Sequence, residues 1–373
     1  MAEPLKAQFG PDVVRRLSSE ISGVYAAFNR RGFERDALHG FEALELLDRG
    51  RHLGAMLHRY LPPAFGDAVD VLLATLPHDK SPAGGMASFY YLPHTEFVRQ
   101  FGVPHFKDAM RALHALTQCF TGEWAMRPLL EKHPVMCLAQ LETWTRDPSE
   151  HVRRLVSEST RPRLPWAPRL RQFQKEPTPV IALLDVLRDD PSLYVRRSVA
   201  NNLNDIGKDH PAQLIAIARA WLKDATPERR WIVQHALRNA IKRGDADALS
   251  LLGFGAAAKL SIVASDVTPA RPIMGGRVTI TCTLKNRTRK RQTVIVDLRV
   301  HFVKARGGSS AKVFKLATLD LDAGASASLR KTVSLADLTT RAHYPGEHRV
   351  ELQMNGVVTP LGSFVLRKRA PGH

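Results

Sequence analysis

The chain has 373 residues, of which 44% are hydrophobic, so it is long enough for two domains with buried cores and is not globally disordered. Its formal net charge of +18, from 54 Lys and Arg against 36 Asp and Glu, favours a polyanionic partner such as nucleic acid or an anionic membrane surface. The three cysteines are far apart and the histidines do not cluster at ligand spacing, so we expect neither a disulfide framework nor a metal site. The N-terminus lacks a signal-peptide core, and no apolar run approaches the ~18 residues of a membrane span, so we expect a soluble protein of a reducing compartment.

Residues 1–255 are predicted to form an all-α domain. Apolar residues recur there at spacings of three and four, as at Val69, Leu72, Leu73 and Leu76, with Gly and Pro between such segments. This periodicity is typical of amphipathic helices that bury one face.

Two segments of this helical part are copies of one another. Residues 147–157 read DPSEHVRRLVS and residues 190–200 read DPSLYVRRSVA, at an offset of 43, and a looser third copy starts at Thr226. A spacing near 40 is typical of HEAT-type helix pairs. The Asp side chain can cap free amides and Pro tolerates the first turn, so each copy opens a helix. The valine face behind the copies then stacks on its neighbours, which predicts a HEAT-like solenoid.

The pattern changes to a period of two from Lys259 onward. Residues 277–284 (RVTITCTL) and 293–300 (TVIVDLRV) alternate in this way. Roughly seven short strands fit, which predicts an all-β immunoglobulin-like sandwich over residues 259–370. Cys282 has no partner cysteine in this domain, so the inter-sheet disulfide of antibody domains is missing.

Most of the excess charge lies in this second part. Residues 258–373 contain 20 Lys and Arg against 7 Asp and Glu. The densest run, at residues 285–291 (KNRTRKR), falls between two predicted strands. A solvated hairpin that discourages edge pairing and a phosphate-binding loop explain this run equally well.

Charged residues also recur on the repeat helices. Arg154 and Glu158 share one face of the first helix, while Arg197, Asn201 and Asp205 lie on successive turns of the second. The 43-residue offset predicts that Arg154 lies beside Arg197 and Glu158 beside Asn201, on a polar strip facing away from the valines. Such arginines could hold phosphates, although salt bridges on a solvated helix face are the commoner explanation of the pattern.

The segment at residues 157–166 (SESTRPRLPW) ends the first repeat helix with two prolines and then a tryptophan. An exposed Trp beside a basic surface suits stacking on a base or sugar, and a hydrophobic plug would use the same residue.

With the repeats and the sandwich, the stretch 158–166 resembles the AlkC-type alkylpurine DNA glycosylases, relatives of the AlkD-type enzymes that carry an added immunoglobulin-like domain. Residues 5–10 and 201–205 resemble the same family, so the resemblance covers nearly the whole chain. It implies a lesion site of acidic residues and a tryptophan, with Arg154 nearby. The matching catalytic positions are Glu123, Glu158, Trp166 and Asp205.

This resemblance implies hydrolysis of the N-glycosidic bond of cationic bases, 3-methyladenine or 3-methylcytosine, in duplex DNA during base excision repair. Such a base is already a good leaving group, so the site must supply negative charge and a positioned water rather than a general acid. By resemblance, Glu158 or Asp205 orients the water, Glu123 contacts the lesion, and Trp166 packs on the sugar or base. The family is thought to bend the duplex without flipping the base, and the basic sandwich would grip the bent DNA.

The expected partner is therefore duplex DNA with alkylated bases, bound by a monomer in the bacterial cytoplasm at the nucleoid, with no cofactor and no membrane. The candidate DNA-binding residues are Arg153, Arg154, Arg161, Arg163, Arg196, Arg197, Arg287, Arg289, Lys290 and Arg291.

Three alternatives accompany this interpretation. A non-catalytic DNA-binding or damage-sensing scaffold predicts an incomplete acidic set, whereas the set here is complete. A protein-binding HEAT adaptor predicts an apolar or acidic concave surface, which the arginine pairs at 153–154, 196–197 and 229–230 argue against. A membrane-surface role fits the charge but lacks a basic amphipathic helix or a lipidation motif.

Overall fold

The computed structural model describes residues 5–77, 85–254, 258–337 and 341–368, and in these ranges all helices precede all strands. The α-helices are α1 (Pro11–Val24), α2 (Arg30–Leu38), α3 (Leu46–Tyr60), α4 (Phe65–Ala74), α5 (Leu92–Phe101), α6 (Phe106–Leu116), α7 (Glu123–Lys132), α8 (Pro134–Trp144), α9 (Glu150–Ser159), α10 (Arg171–Lys175), α11 (Thr178–Leu187), α12 (Leu193–Asp209), α13 (Pro211–Leu222), α14 (Pro227–Ala236), α15 (Arg238–Arg243) and α16 (Ala246–Leu251). The strands are β1 (Leu260–Thr268), β2 (Arg277–Asn286), β3 (Gln292–Val303), β4 (Ser309–Leu321), β5 (Ser326–Ser334), β6 (Gly346–Met354) and β7 (Val357–Leu366). The predicted succession of a helical-repeat region and a β-sandwich is confirmed.

The chain divides into two compact units. The first comprises Met1–His210 with Ala225–Ala236, and the second comprises Pro211–Asp224 with Leu237–His373. Helices α13, α15 and α16 therefore group with the strands. The predicted domain limits at residues 1, 255 and 370 lie outside the described residues, so the bounds 1–255 and 259–370 stay a prediction.

The repeat copies begin helices as predicted. The carboxylate of Asp147 accepts the amide of Ser149 at 2.8 Å just before α9, and Asp190 accepts the amide of Ser192 at 2.9 Å just before α12. The valine face behind these caps is completely buried, for example at Val195. The local signal and the buried face together explain why each helix starts where it does.

The first arginine of each copy has a structural role. Arg153 donates to the carbonyl oxygen of Asp147 at 2.8 Å, and Arg196 donates to those of Asp190 and Pro191 at 2.7 Å. Arg153 also forms a two-point ion pair with the Asp190 carboxylate, at 2.7 and 3.1 Å. Each arginine thus closes the turn that opens its own helix, and Arg153 ties the first copy to the second.

Contacts between the α9 region and α12 span separations on both sides of the 43-residue offset. The Ser198 hydroxyl donates to Glu158 at 2.6 Å, 40 residues away, whereas Asn202 donates to the carbonyl oxygen of Ser157 at 2.8 Å, 45 residues away. The Arg154 guanidinium lies 5.1 Å from the ring centre of Tyr194. That Arg154 lies beside Arg197 and Glu158 beside Asn201 stays a prediction.

The second unit contains a sandwich of two antiparallel sheets, ordered β1-β2-β5 and β4-β3-β6-β7. Its core follows the predicted alternation, since Val278, Ile280, Cys282 and Leu284 all point inward from β2. The seven strands found in the described residues match the predicted number.

Helix α15 lies on the four-stranded sheet within this unit. The Gln353 side chain donates to the carbonyl oxygens of Ile241 and Lys242, at 3.3 and 3.4 Å. Gly244 and Gly356, both at positive φ, pass so close that a Cβ on Gly356 would lie 2.7 Å from the Gly244 carbonyl oxygen. Glycine at both positions therefore permits the helix to sit against the β6–β7 turn.

In the described ranges, none of the helices is both long enough and apolar enough to cross a bilayer.

Candidate active site

The predicted acidic residues belong to one buried chain of alternating charges in the first unit. Arg154 lies between Glu123, at 3.0 Å, and Glu158, at 3.8 Å. Arg161 lies between Glu158, at 2.6 Å, and Asp205, at 2.8 Å. The chain joins α7, α9 with the segment directly after it, and α12, so three separate stretches of sequence converge here.

Glu158 is a buried carboxylate held in its charged form. It is only 6% exposed, and its two oxygens accept from Arg161 and Ser198. Burial raises the pKa of Glu158, but the guanidinium groups of Arg154 and Arg161 and the Ser198 hydroxyl outweigh burial and hold it below the usual 4.5. At neutral pH, Glu158 is therefore ionised.

Asp205 is the more deeply buried carboxylate, at 1% exposure. One oxygen accepts both Nε and a terminal nitrogen of Arg161 at 2.8 Å, and the other accepts from Lys208 at 2.7 Å. Both oxygens of Asp205 are therefore occupied by protein donors, and Arg161 links its charge to Glu158. Glu158 and Asp205 are therefore both buried and ion-paired within the protein, rather than solvated on a helix face.

Glu123 stands closer to open space than the other two carboxylates. It is the first residue of α7, where the positive end of the helix dipole favours a carboxylate. It lines an apolar cavity of about 460 Å³. The walls of this cavity include Phe89, Phe120, Trp124 and Trp166.

Trp166 lies at the tip of a loop that follows α9. The amide of Leu170 donates to the carbonyl oxygen of Pro162 at 3.2 Å and closes the loop, while the buried Leu164 anchors it. Trp166 is 86% exposed and has a positive φ of 64°, which is uncommon for a bulky residue. The predicted exposed tryptophan is present, held outward by strained backbone of the kind found at functional sites.

The structure brings Glu123 and Trp166 together at the cavity. Glu158 lies behind Glu123 across one arginine, Arg154, and Asp205 lies beyond Glu158 across another, Arg161. The cavity has aromatic walls and the ion-paired Glu123, with the ionised Glu158 behind it. This combination suits a cationic, planar ligand.

Most of the arginines predicted to contact DNA in this unit already have protein partners. Arg153 and Arg196 hold turns, and Arg154 and Arg161 belong to the charge chain. Arg163 pairs with Asp209 at 2.5 and 2.9 Å. Arg197 differs: it is exposed, and the described residues place no carboxylate within ion-pair distance of it. DNA contact by these arginines stays a prediction.

The basic loop at residues 285–291 is exposed at all five of its charged positions. The buried Asn286 organises it, donating to the carbonyl oxygens of Lys290, Leu321 and Asp322 at 2.8 to 3.0 Å. Arg291 approaches Asp320 at 3.5 Å. The loop keeps four cations exposed beyond the end of β2: Arg287, Arg289, Lys290 and Arg291.

Two further residues shape the site and escaped the sequence reasoning. Arg127, which is 2% exposed, donates to the carbonyl oxygens of Ser159 at 3.3 Å, Arg161 at 3.0 Å, and Pro168. Burial lowers its pKa to about 10, so it remains charged at neutral pH. Glu96 lines the cavity, where burial raises its pKa in spite of its 2.8 Å pair with Arg99. For both Arg127 and Glu96, the available signal in the sequence was a charged residue placed among the apolar residues of a helix.

In the described part of the chain, no group of three or more His, Cys, Asp or Glu side chains could hold a metal ion. All three cysteines are buried.

Residues 261–368 match the family model described as "Uncharacterised protein YhaZ, C-terminal Ig-like domain". The chain is 35% identical over 355 residues to the uncharacterised protein YhaZ of Bacillus subtilis, covering 95% of this chain and 97% of YhaZ. Its structure is similar to that of the alkylpurine DNA glycosylase AlkC of Pseudomonas fluorescens, solved bound to DNA containing an abasic site analogue. That match has a TM-score of 0.91 and 38% identity, and it covers 98% of this chain and all of AlkC. The chain therefore belongs to the family of AlkC and YhaZ, helical-repeat proteins with a C-terminal immunoglobulin-like domain.

Proposed function

We propose that this protein is a DNA glycosylase that hydrolyses the N-glycosidic bond of cationic N-alkylated bases, 3-methyladenine and 3-methylcytosine, in duplex DNA. The observation that carries the proposal is the charge chain from Glu123 to Asp205 beside an exposed Trp166, in a fold that matches AlkC over its full length. The reaction would begin base excision repair, on damaged duplex DNA in the bacterial cytoplasm, with the protein acting as a monomer.

The reaction requires negative charge in the site rather than a general acid. The bond between C1′ and the base nitrogen breaks with its electron pair passing to the base, which neutralises the base's positive charge. The sugar becomes cationic as the bond lengthens, and a water oxygen then bonds to C1′ and releases a proton. Carboxylates that remain ionised stabilise both cations, and the lowered pKa of Glu158 suits this role.

The geometry supports a division of labour among the site residues. Glu123 lines the open cavity and is the carboxylate best placed to approach the lesion. Glu158 or Asp205 orients the water, and both would act with Arg161 between them. Trp166 points away from the protein and packs on the sugar or base of bound DNA. From the family resemblance we further propose that the duplex bends without flipping of the base.

The experiment that tests the proposal measures free base released from methylated duplex DNA at modest salt. We expect free 3-methyladenine from the unaltered protein, and losses of at least tenfold in release rate for Glu123→Gln and Trp166→Ala. Glu142→Gln, which neutralises an exposed carboxylate on α8, is the matched control and should keep the full rate.

The competing proposal is a non-catalytic scaffold that senses damage by binding it. Tight binding of methylated duplex DNA with no free base over several hours would reject the glycosylase and favour the scaffold. The complete acidic set favours the enzyme.

A further inference from the structure

A basic cleft of about 700 Å³ lies within the second unit, between α15 and the strands β3 and β4. Its lining residues include five cations and no carboxylate. The five cations are Lys242, Arg243, Lys304, Lys312 and Arg341. They come from four separate stretches of sequence, so no run of basic residues in the sequence predicts the cleft.

Within the described part of this unit, no ion pair neutralises the cations of the cleft. The ion pairs that the described residues form in this unit involve Arg291, Arg299 and His301, none of which lines the cleft. Burial, and then the nearby Arg341 and Lys242, lower the pKa of Lys312, as expected for cations that repel one another.

Two carboxylates lie near the cleft without lining it. Asp297 is buried, and desolvation raises its pKa to about 6 although Lys315 and Lys242 oppose the shift. Asp337 accepts the amide of His343 at 2.8 Å, which assigns one of its oxygens to the backbone. The five cations outnumber these two carboxylates, so a positive potential remains available to a ligand.

Aromatic rings and a docked helix hold the cations in position. The Arg341 guanidinium lies 5.0 Å from the Phe302 ring centre, and the Lys312 ammonium lies 5.1 Å from that of Phe314. Phe302 is itself buried and packs edge-on against the buried His343 at 5.1 Å. Because Gln353 also fixes the carbonyl of Lys242, less side-chain and helix freedom is lost on binding.

We propose that this cleft binds the phosphodiester backbone of duplex DNA, as a contact separate from the loop at residues 285–291. The inference rests on the proposed function for the choice of DNA. Five unneutralised cations on a concave surface fit a convex run of phosphates, and each contact releases a counterion. A membrane surface is flat and calls for exposed apolar side chains beside the charges, which suits a cleft poorly.

The test reverses two charges of the cleft, in the variant Lys242→Glu with Lys312→Glu. Fluorescence anisotropy with undamaged duplex DNA measures the dissociation constant over a range of salt. We expect binding at least tenfold weaker, and a slope of log affinity against log salt that is shallower by about 2, since each lost contact removes roughly 0.9.

The matched control is Arg277→Glu with Arg330→Glu, an equal change of charge at exposed positions on the three-stranded sheet. It should weaken binding less than threefold. Equal losses in the two double variants would assign the effect to bulk charge and overturn the cleft. A loss confined to an RNA probe would overturn the choice of DNA.

Folding of the variant is checked by its thermal melting. If the half-buried Lys312→Glu prevents folding, Lys242→Ala with Lys304→Ala alters only exposed side chains and carries the same expectation at about a threefold loss or more. Because the probe is undamaged DNA, failure of the base-release experiment and failure of this one are independent results.

Discussion

At the scale of single residues, the carboxylates of the site are held by arginines on both sides. A buried carboxylate is costly unless it is paired, and Glu158 is flanked by Arg154 and Arg161 as well as bonded to Ser198. The same arrangement keeps the two arginines from being buried without a counter-charge. If Glu158 serves the proposed reaction, the charge that acts on the substrate is also the charge that stabilises the fold.

Replacing Glu158 by Gln tests both roles. The variant keeps a side chain that can accept from Ser198, but it leaves two guanidinium groups without their shared counter-charge. We expect a loss of about 3 kcal/mol in the free energy of unfolding and a fall of at least 100-fold in base release. Glu228→Gln, an exposed position on α14, should change stability by less than about 0.5 kcal/mol.

The difference in unfolding free energy between the unaltered protein and Glu158→Gln should shrink as the pH falls. Because the pKa of Glu158 is lowered on folding, its contribution is complete above the ordinary value of 4.5 and is lost as pH falls through the folded value. Urea unfolding at pH 7 should therefore separate Glu158→Gln from the unaltered protein, and the two should converge on further acidification. A gap that stays constant down to pH 3 would contradict the assigned ion pairs.

At the scale of elements, the loop between α9 and α10 depends on one buried arginine. Arg127 on α7 satisfies carbonyl oxygens at both ends of the segment that carries Arg161 and Trp166. The backbone strain at Trp166 persists only if its surroundings hold it. Arg127 is therefore a positioning residue for the site, although it does not line the cavity.

Replacing Arg127 by Met should free this loop. Three carbonyl oxygens lose a donor, so we expect a loss of about 2 to 4 kcal/mol in the free energy of unfolding. The bond between Arg163 and Leu164 should become several times more sensitive to trypsin, which reports on the loop itself. Arg127→Lys is the control variant: it keeps the charge but not the planar fork, and should give an intermediate result. A native trypsin rate in Arg127→Met would refute the positioning role.

Periodicity and local signals predicted the elements but not the contacts across them. The D-P-S copies marked the starts of α9 and α12, and the alternation in β2 marked an inward face. Ion-pair partners depend instead on which helices meet and at what height. The pairing of Arg161 with both Glu158 and Asp205 followed from neither spacing nor composition.

At the scale of the whole molecule, the positive charge and the carboxylates belong to different compact units. The charge chain from Glu123 to Asp205 lies in the first unit, whereas the basic loop and the cleft lie in the second. Sequence composition located the excess charge in residues 258–373 but pointed to the run at residues 285–291. The cleft was missed because Lys242 and Arg341 become neighbours only through folding.

If the second unit binds DNA and the first carries the chemistry, removing charge from the loop at residues 285–291 should weaken DNA binding without slowing base release. The loop variant replaces four of the five exposed cations at once: Arg287, Arg289, Lys290 and Arg291 become Ala. Because Asn286 still holds the turn, we expect a change in stability below about 0.5 kcal/mol. DNA binding should weaken, and its salt slope should flatten by up to about 3, since Arg291 is already partly neutralised by Asp320.

Base release at saturating protein should then proceed at the unaltered rate, because each site carboxylate keeps its partners. Arg277→Ala with Arg330→Ala shows how much of the binding loss comes from general charge. A salt slope equal to that of the unaltered protein would make the loop a solvated hairpin and leave the cleft as the main DNA contact of the second unit. A lower release rate at saturation would mean that the loop also positions the DNA for the reaction, and that the two units do not divide the work.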